Sequence, residues 1–297
     1  MFVIKYKKIF LTITALFAIT SIASLFVFGL NFSIDFTGGS VLEVSYTEAP
    51  SIQDVESAVG EHVADSYAVR PIGEKSFSIR TSFLSDETRQ EISSSLATKG
   101  QGFSEEKISS VGPVIGNELR NKAFVAVGIV IVVIIIFVAF AFRKVSEPIS
   151  AWWYGIIAIV ALVHDVLIPI GIFSIFHFDI DILFVTALLA ILGYSVNDTI
   201  VVFDRIRENL ESNKELHIKE SFADTVGKSL QSTFARSINT SFTTLLVLLA
   251  LLVIAGSAIH NFIIALLVGV IAGASSSIFL AAPLLVLVDK WRGNRQK

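Results

Sequence analysis

Two carboxylates with polar neighbours occur inside otherwise apolar stretches of the sequence. Asp165 follows His164, Asp198 follows Asn197, and Arg236 begins a stretch whose polar face leads into a purely apolar run. Ionisable groups at membrane depth are costly, usually functional, and form the proton relays of pumps and transporters. Proton transfer is therefore the candidate chemistry of these five residues.

The same residues also permit a purely structural interpretation. Asp198 could reach the nearer membrane surface and Arg236 could bind lipid headgroups, because long polar side chains extend to the interface. His164 and Asp165 could form a satisfied structural pair. The residues by themselves leave the relay and the structural roles open.

The depth of Asp198 and Arg236 can be compared from the lengths of the apolar runs. The run at 245–254 has ten residues, whereas about 20 residues cross a bilayer as a helix. The helix must therefore begin near Phe234, which draws Arg236 into or against the membrane. Asp198 lies roughly 7–8 Å before the end of its own run at 1.5 Å per residue. The two residues are thus predicted at similar depths, where they could pair across a water-filled cavity.

Composition places the chain among membrane proteins. Of its 297 residues, 53% are hydrophobic and 16% are charged. The chain has no cysteine and its five histidines are scattered, so we expect no disulfide, no metal site and no cofactor.

The first apolar run is longer than the roughly 7–15 residues of a signal-peptide core, which favours a membrane anchor. The six candidate spans are 9–30, 123–142, 150–175, 180–203, 236–255 and 259–288.

Lysine and arginine predict the sidedness of the chain. All fifteen basic residues outside the segment 31–122 fall on or near one side of a six-span arrangement, and the connections 176–179 and 256–258 contain none. Basic residues in short loops favour the cytoplasm. We therefore predict that both termini and the loop 204–235 are cytoplasmic, and that the acidic segment 31–122 is external.

The segment 31–122 alternates strand-like and helix-like stretches. Their order, β-α-β-β-α-β, is that of a ferredoxin-like domain, and Ser51 with Asp54 forms a capping box at the first helix. We predict a small α+β domain that contacts other proteins, with binding of a small molecule as the alternative. The predicted domains are 1–30 with the first span, 31–122 as the inserted domain, and 123–297 with spans two to six and the C-terminal tail.

Two glycine-containing stretches bracket this domain. The first runs from Asp35 to Gly38 and Gly39, and the second contains Gly112 and Pro113. Glycine permits positive φ and close backbone approach, so both stretches could be simple turns. Alternatively, both could be coupling hinges that transmit motion between the domain and the membrane.

Four motifs occur in order on the predicted six-span topology. They are DFTGG at 35–39, VGP at 111–113, HDV at 164–166, and GYSVNDT at 193–199 with the following VFDRIREN. Together they resemble the SecD/SecF family of protein-export membrane subunits, in the resistance-nodulation-division superfamily. The resemblance covers nearly the whole chain. It implies an α-helical membrane protein whose six spans are half of a twelve-helix unit in the bacterial inner membrane.

The resemblance also implies a function and partners. The chain would work with SecD, which supplies the other six spans, and would associate with the SecYEG channel and often YajC. After the ATPase SecA has pushed a preprotein part of the way, such a complex helps to pull it out with the proton-motive force. Protons are then the coupling ion, and neither catalysis nor nucleic acid is involved. Asp198 would be the family's membrane carboxylate tied to proton passage, and Arg236 its basic partner.

Three other classes of protein remain to be distinguished. An exporter of drugs or lipids from the same superfamily would usually have twelve spans and two large external domains. An intramembrane aspartyl protease could use Asp165 and Asp198, but the expected Gly-x-Gly-Asp is absent around Asp198. A structural scaffold would tolerate every carboxylate substitution.

Overall fold

The computed structural model describes residues 2–63, 67–142, 149–256 and 259–295. The chain divides into two compact units, one of Phe32–Phe124 and one of Met1–Asn31 with Val125–Lys297. Three of the fifteen basic residues counted above lie outside the described residues, namely Arg143, Lys144 and Lys297. Residues 257–258 of one predicted connection also lie outside them.

Helices dominate the chain, with short strands between some of them. In chain order the helices are α1 Phe2–Lys5, α2 Lys7–Phe28, α3 Ile34–Thr37, α4 Ile52–Gly60, α5 Asp86–Ala97, α6 Pro113–Ala141, α7 Ala151–Ile175, α8 Ile182–Glu215, α9 Phe222–Ile254, α10 His260–Ser276 and α11 Ala282–Arg295. A π-helical turn, Ser277–Ala281, joins the last two. The strands are β1 Asn31–Phe32, β2 Gly39–Ser45, β3 Ala68–Pro71, β4 Ser76–Thr81, β5 Ser104–Val111 and β6 Asp179–Ile180.

Six of the described helical segments are long and apolar enough to cross a membrane. They are α2, α6, α7, α8, α9 and the continuous run from α10 through the π-helical turn into α11, which is called the sixth span below. The predicted six-span fold is therefore confirmed, and the chain is a multi-pass membrane protein. The α7, α8 and sixth-span helices are about half buried within their unit, whereas the other three are mostly exposed.

Four spans extend well beyond their apolar runs. α6 begins at Pro113, α8 continues to Glu215, α9 begins at Phe222 and α11 continues to Arg295, because polar residues can also continue a helix. In the extension of α8, Arg205 pairs with Glu208 at 2.8 Å, an i,i+3 ion pair that supports a solvated helix. The predicted loop 204–235 is thus mostly helical.

The unit Phe32–Phe124 contains a four-stranded antiparallel sheet in the order β3-β4-β2-β5. Burial alternates along β2 and β4, so one face of the sheet packs against α4 and α5. Ser51 accepts the N–H of Asp54 at 3.2 Å at the start of α4, as the capping box predicts. The order of elements and the sheet confirm the ferredoxin-like prediction. The core of this unit consists of Leu42, Val44, Tyr46, Val55, Ala58, Val59, Val63, Phe77, Ile79, Ile92 and Leu96.

Candidate functional site

Asp165 lies in the middle of α7 and is completely buried. Its Oδ1 lies 2.9 Å from Nδ1 of His164. Its Oδ2 accepts hydrogen bonds from Ser195 of α8 and from Ser276 of α10, the latter at 2.7 Å. A buried carboxylate is tolerated only when it is paired and hydrogen-bonded. Asp165 meets that condition with groups from three helices.

Asp198 lies on α8, three residues after Ser195, so the two side chains share a helix face. It is also buried. Its Oδ2 accepts a hydrogen bond from Ser277, the first residue of the π-helical turn. The sixth span therefore contacts both candidate relay carboxylates, each through a hydroxyl.

The sequence patterns did not identify the three serines that donate to these carboxylates, Ser195, Ser276 and Ser277. All three are completely buried and donate to a carboxylate. A serine run at 275–277 within an apolar helix was the available signal. The π-helical turn that begins at Ser277 supports a functional assignment, because such turns occur frequently at functional sites.

Glycines on α10 let these hydroxyls reach their partners. A Cβ added at Gly273 would lie 3.0 Å from Cβ of Ser195, and one at Gly269 would lie 2.2 Å from the Ile191 side chain. Small residues at membrane-helix interfaces allow backbones to approach closely. The short serine side chains on α8 and the sixth span can therefore act in one buried cluster.

His164 provides a second polar position at this cluster. Its Nε2 is buried and has no hydrogen-bond partner among the described residues. A neutral imidazole carries one proton, so Nδ1–H donating to Asp165 would leave Nε2 as an acceptor. Such a ring can take up a proton on one nitrogen while the other stays bonded. The cluster therefore has the groups that proton transfer requires.

The structure does not bring Arg236 or Asn197 into this cluster. Both side chains are exposed. Among the residues that the structure describes, Arg236 and Asp198 do not form a salt bridge. Asp198 instead accepts a hydrogen bond from Ser277. Arg236 lies on α9, where its carbonyl accepts a hydrogen bond from Thr240 at 2.9 Å. The five predicted relay residues thus separate into a buried group of three and an exposed pair.

The candidate hinge residues lie close together within the unit Phe32–Phe124. Gly38 has φ +73°, and a Cβ there would lie 2.7 Å from Cα of Pro113; Gly39 has φ +128°. Both positions require glycine. Gly112 is not crowded within 4 Å, and Pro113 begins α6, where a missing N–H is tolerated. Asp35 lies in the first turn of α3, and its N–H donates to the Ser33 hydroxyl at 3.2 Å.

Comparison with protein families identifies relatives over most of the chain. Residues 91–291 match the family described as protein export membrane protein SecD/SecF, C-terminal. Residues 23–50, which include Gly38 and Gly39, match the SecD/SecF GG motif. Protein translocase subunit SecF of Thermobaculum terrenum is 39% identical over 300 residues, covering 96% of this chain and 92% of that protein. The subunit of the same name from Sebaldella termitidis is 35% identical over 294 residues, with coverages of 97% and 92%.

Solved structures show the same relationship. The crystal structure of SecDF, a translocon-associated membrane protein from Thermus thermophilus, has a TM-score of 0.82 at 33% identity, covering 98% of this chain. This chain spans 38% of that SecDF chain. A SecDF structure in a super-membrane-facing form has a TM-score of 0.67 at 33% identity, with coverages of 99% and 39%. With a family match over more than half of its length, the chain belongs to the SecD/SecF family of protein export membrane proteins.

Proposed function

We propose that the chain is the SecF-type subunit of a bacterial protein translocase and works with SecD to use the proton-motive force in late stages of preprotein export. The names of the relatives and the likeness to SecDF support the assignment to a translocase. The resemblance of the motifs supports association with the SecYEG channel, often with YajC, after SecA has begun translocation from the other side.

The buried carboxylates are the observation that carries the proton-coupled part of the proposal. Asp165 and Asp198 are both enclosed by helices, and each is bonded by hydroxyls of a neighbouring helix. A carboxylate in such a place changes the strength of every bond it accepts when it gains or loses a proton. Crossing the full membrane field contributes about 2.3 kcal/mol per charge per 100 mV. This free energy is available to shift the packing of the sixth span.

The exposed polar residues of α8 and α9 support a membrane partner. Asn197 and Arg236 are exposed within helices that are otherwise apolar enough to cross a membrane. Polar groups that face lipid are costly, so they are usually covered by protein or water. In the proposed complex the spans of SecD lie near this surface.

The proposed cycle includes another conformation, in which Arg236 pairs with Asp198. The residues Asp35, Gly38, Gly39, Gly112 and Pro113 act as the coupling hinges between the inserted domain and the membrane helices.

The resemblance to protein-export subunits supports a location in the bacterial inner membrane, and the charge distribution supports an orientation there. With basic residues concentrated on one side, the termini and the extensions of α8 and α9 lie in the cytoplasm under this proposal. The unit Phe32–Phe124 then lies on the external side, where a translocating preprotein emerges.

Reconstituted export tests the proposed function. Vesicles containing the channel, SecA, SecD and this chain would be loaded with a preprotein arrested part of the way across. We expect completion of export to be faster with this chain than without it, and an ionophore to abolish the difference. An equal stimulation in the presence of the ionophore would contradict use of the proton-motive force.

A further inference from the structure

Two consecutive serines of the sixth span contact two different carboxylates. Ser276 donates to Asp165 of α7 at 2.7 Å, and Ser277 donates to Asp198 of α8. Successive residues of a helix point about 100° apart, so a helix that lies against both α7 and α8 can direct one side chain to each. The π-helical turn begins at the second serine.

Each of these hydroxyls has two acceptors and one proton. Besides its carboxylate, Ser276 Oγ lies 3.1 Å from the carbonyl oxygen of Gly273. Ser277 Oγ likewise lies 3.1 Å from the carbonyl oxygen of Ala274. A hydroxyl donates a single hydrogen at a time. The charge of the carboxylate decides between the acceptors, because a bond to an ionised acceptor is roughly twice as strong as a neutral one.

We propose that Ser276 and Ser277 are positioning residues that couple the hydrogen bonding of the sixth span to the charge of Asp165 and Asp198. Each hydroxyl donates to its carboxylate while that group is ionised. When the carboxyl group is protonated, its own O–H donates to the serine oxygen, and the serine turns its hydrogen to the carbonyl of Gly273 or Ala274. No proton leaves either serine. The proposal deepens the proposed function and rests on it for the consequence in export.

The surroundings of the two carboxylates differ. His164 on α7 is the ionisable neighbour of Asp165. Arg236 on α9 is exposed, and within the described ranges Asp198 forms no salt bridge. Ser277 is therefore the side chain whose removal changes the bonding of Asp198 most directly. Because Ser195 also donates to Asp165, loss of Ser276 leaves that carboxylate one hydroxyl donor.

A carboxyl-specific reagent tests this inference without any export reaction. Hydrophobic carbodiimides modify the neutral acid, and mass spectrometry then separates modification at Asp165 from modification at Asp198. In the full chain with its SecD partner at alkaline pH, we expect Ser277→Ala to increase the rate of modification of Asp198 about tenfold, since a bond to a charged group is lost. The rate at Asp165 is expected to stay within about twofold of the wild-type rate, since Ser277 donates to Asp198 whereas Asp165 keeps its bonds from Ser195 and Ser276.

Two further variants separate the hydroxyl from mere packing. Ser277→Thr keeps the hydroxyl and is expected to restore the wild-type rate at Asp198. Ser275→Ala removes the neighbouring hydroxyl, whose acceptors among the described residues are the carbonyls of Ile271 and Ala272 in its own helix, and is expected to leave both rates unchanged. An unchanged rate at Asp198 in Ser277→Ala, or an equal increase in Ser277→Thr, would overturn the inference. Neither result depends on whether the proton-motive force drives export.

Discussion

Ser276 Oγ lies 2.7 Å from Asp165 Oδ2, so a hydroxyl of the sixth span donates directly to a carboxylate in the middle of α7. The same carboxylate accepts a bond from Ser195 and adjoins His164. α7, α8 and the sixth span are thereby joined at one buried point. Within the membrane unit, loss of this carboxylate affects three helices at once.

We expect Asp165→Ala to destabilise the chain strongly. The substitution leaves the buried Ser195 hydroxyl and the His164 Nδ1 without their acceptor, at about 1–3 kcal/mol for each unsatisfied group. Ser276 keeps the carbonyl of Gly273 as its acceptor. Asp165→Asn keeps one acceptor oxygen and is expected to lose less. Thermal inactivation of the purified complex measures both effects. Asp204→Ala, which removes a half-exposed carboxylate of α8, serves as control, and an equal loss there would contradict the network.

Two glycines of α7 give a matched test of close helix packing. A Cβ added at Gly171 would lie 2.6 Å from Cα of Ser21 on α2, whereas one at Gly155 would meet nothing within 4 Å. We expect Gly171→Ala to destabilise the chain by about 1–3 kcal/mol because backbone must move. Gly155→Ala is expected to be neutral or stabilising by up to about 1 kcal/mol. Similar melting temperatures for both variants would contradict the close approach of α2 and α7.

Alkaline pH is expected to weaken the unit Phe32–Phe124. Burial raises the pKa of Tyr46 from 10.0 to about 12. Unfolded chains ionise this phenol near its ordinary pKa, while the folded unit keeps it neutral. The contribution of Tyr46 to the free energy of unfolding is therefore complete below about pH 10 and is lost as the pH rises towards 12. The free energy of unfolding falls by about 1–2 kcal/mol over this range.

Proteolysis in urea, at neutral pH and near pH 11, measures this change in the full chain. Tyr46→Phe removes the titrating group together with the bond that its hydroxyl donates to Leu96 O at 3.2 Å. We expect the variant to be less stable at neutral pH by about 1 kcal/mol, but to lose less on alkalinisation. A loss as large as in the wild-type chain would show that another group is responsible.

Cysteine labelling tests the proposed sidedness. The chain has no cysteine of its own, and Ser94 on α5 and Ser212 on the extension of α8 are both exposed. In intact cells we expect an impermeant thiol reagent to modify Ser94→Cys and to spare Ser212→Cys. Cell lysis should then expose the second site. Modification of Ser212→Cys before lysis would reverse the topology.

The spans and the inserted domain were predictable because local patterns determine them. Apolar runs near bilayer length identify membrane helices, and the alternating elements of 31–122 give the ferredoxin-like order. Asp165 and Asp198 were found for the same reason, as carboxylates inside apolar runs. The helix ends were predicted too short where polar residues continue α8 and α9.

The partners of the carboxylates were not predictable from the same patterns. A serine in a membrane helix commonly bonds a carbonyl of its own preceding turn, as Ser275 does with Ile271. Ser276 and Ser277 differ from Ser275 because carboxylates of neighbouring helices lie within hydrogen-bond distance of their hydroxyls. The direction of Arg236 also depends on the rotation of α9, which spacing along the chain does not determine.

The proposed role of Asp198 in proton-driven export is tested most directly by Asp198→Asn, which keeps the shape of the side chain but cannot ionise. In the reconstituted export reaction, we expect normal assembly with SecD and a normal ATP-dependent early stage, but loss of the late stage that depends on the proton-motive force. Asp198→Glu should retain part of that stage, and Asp204→Asn nearly all of it. If Asp198→Asn completed export with the wild-type dependence on the proton-motive force, Asp198 would not be the proton carrier.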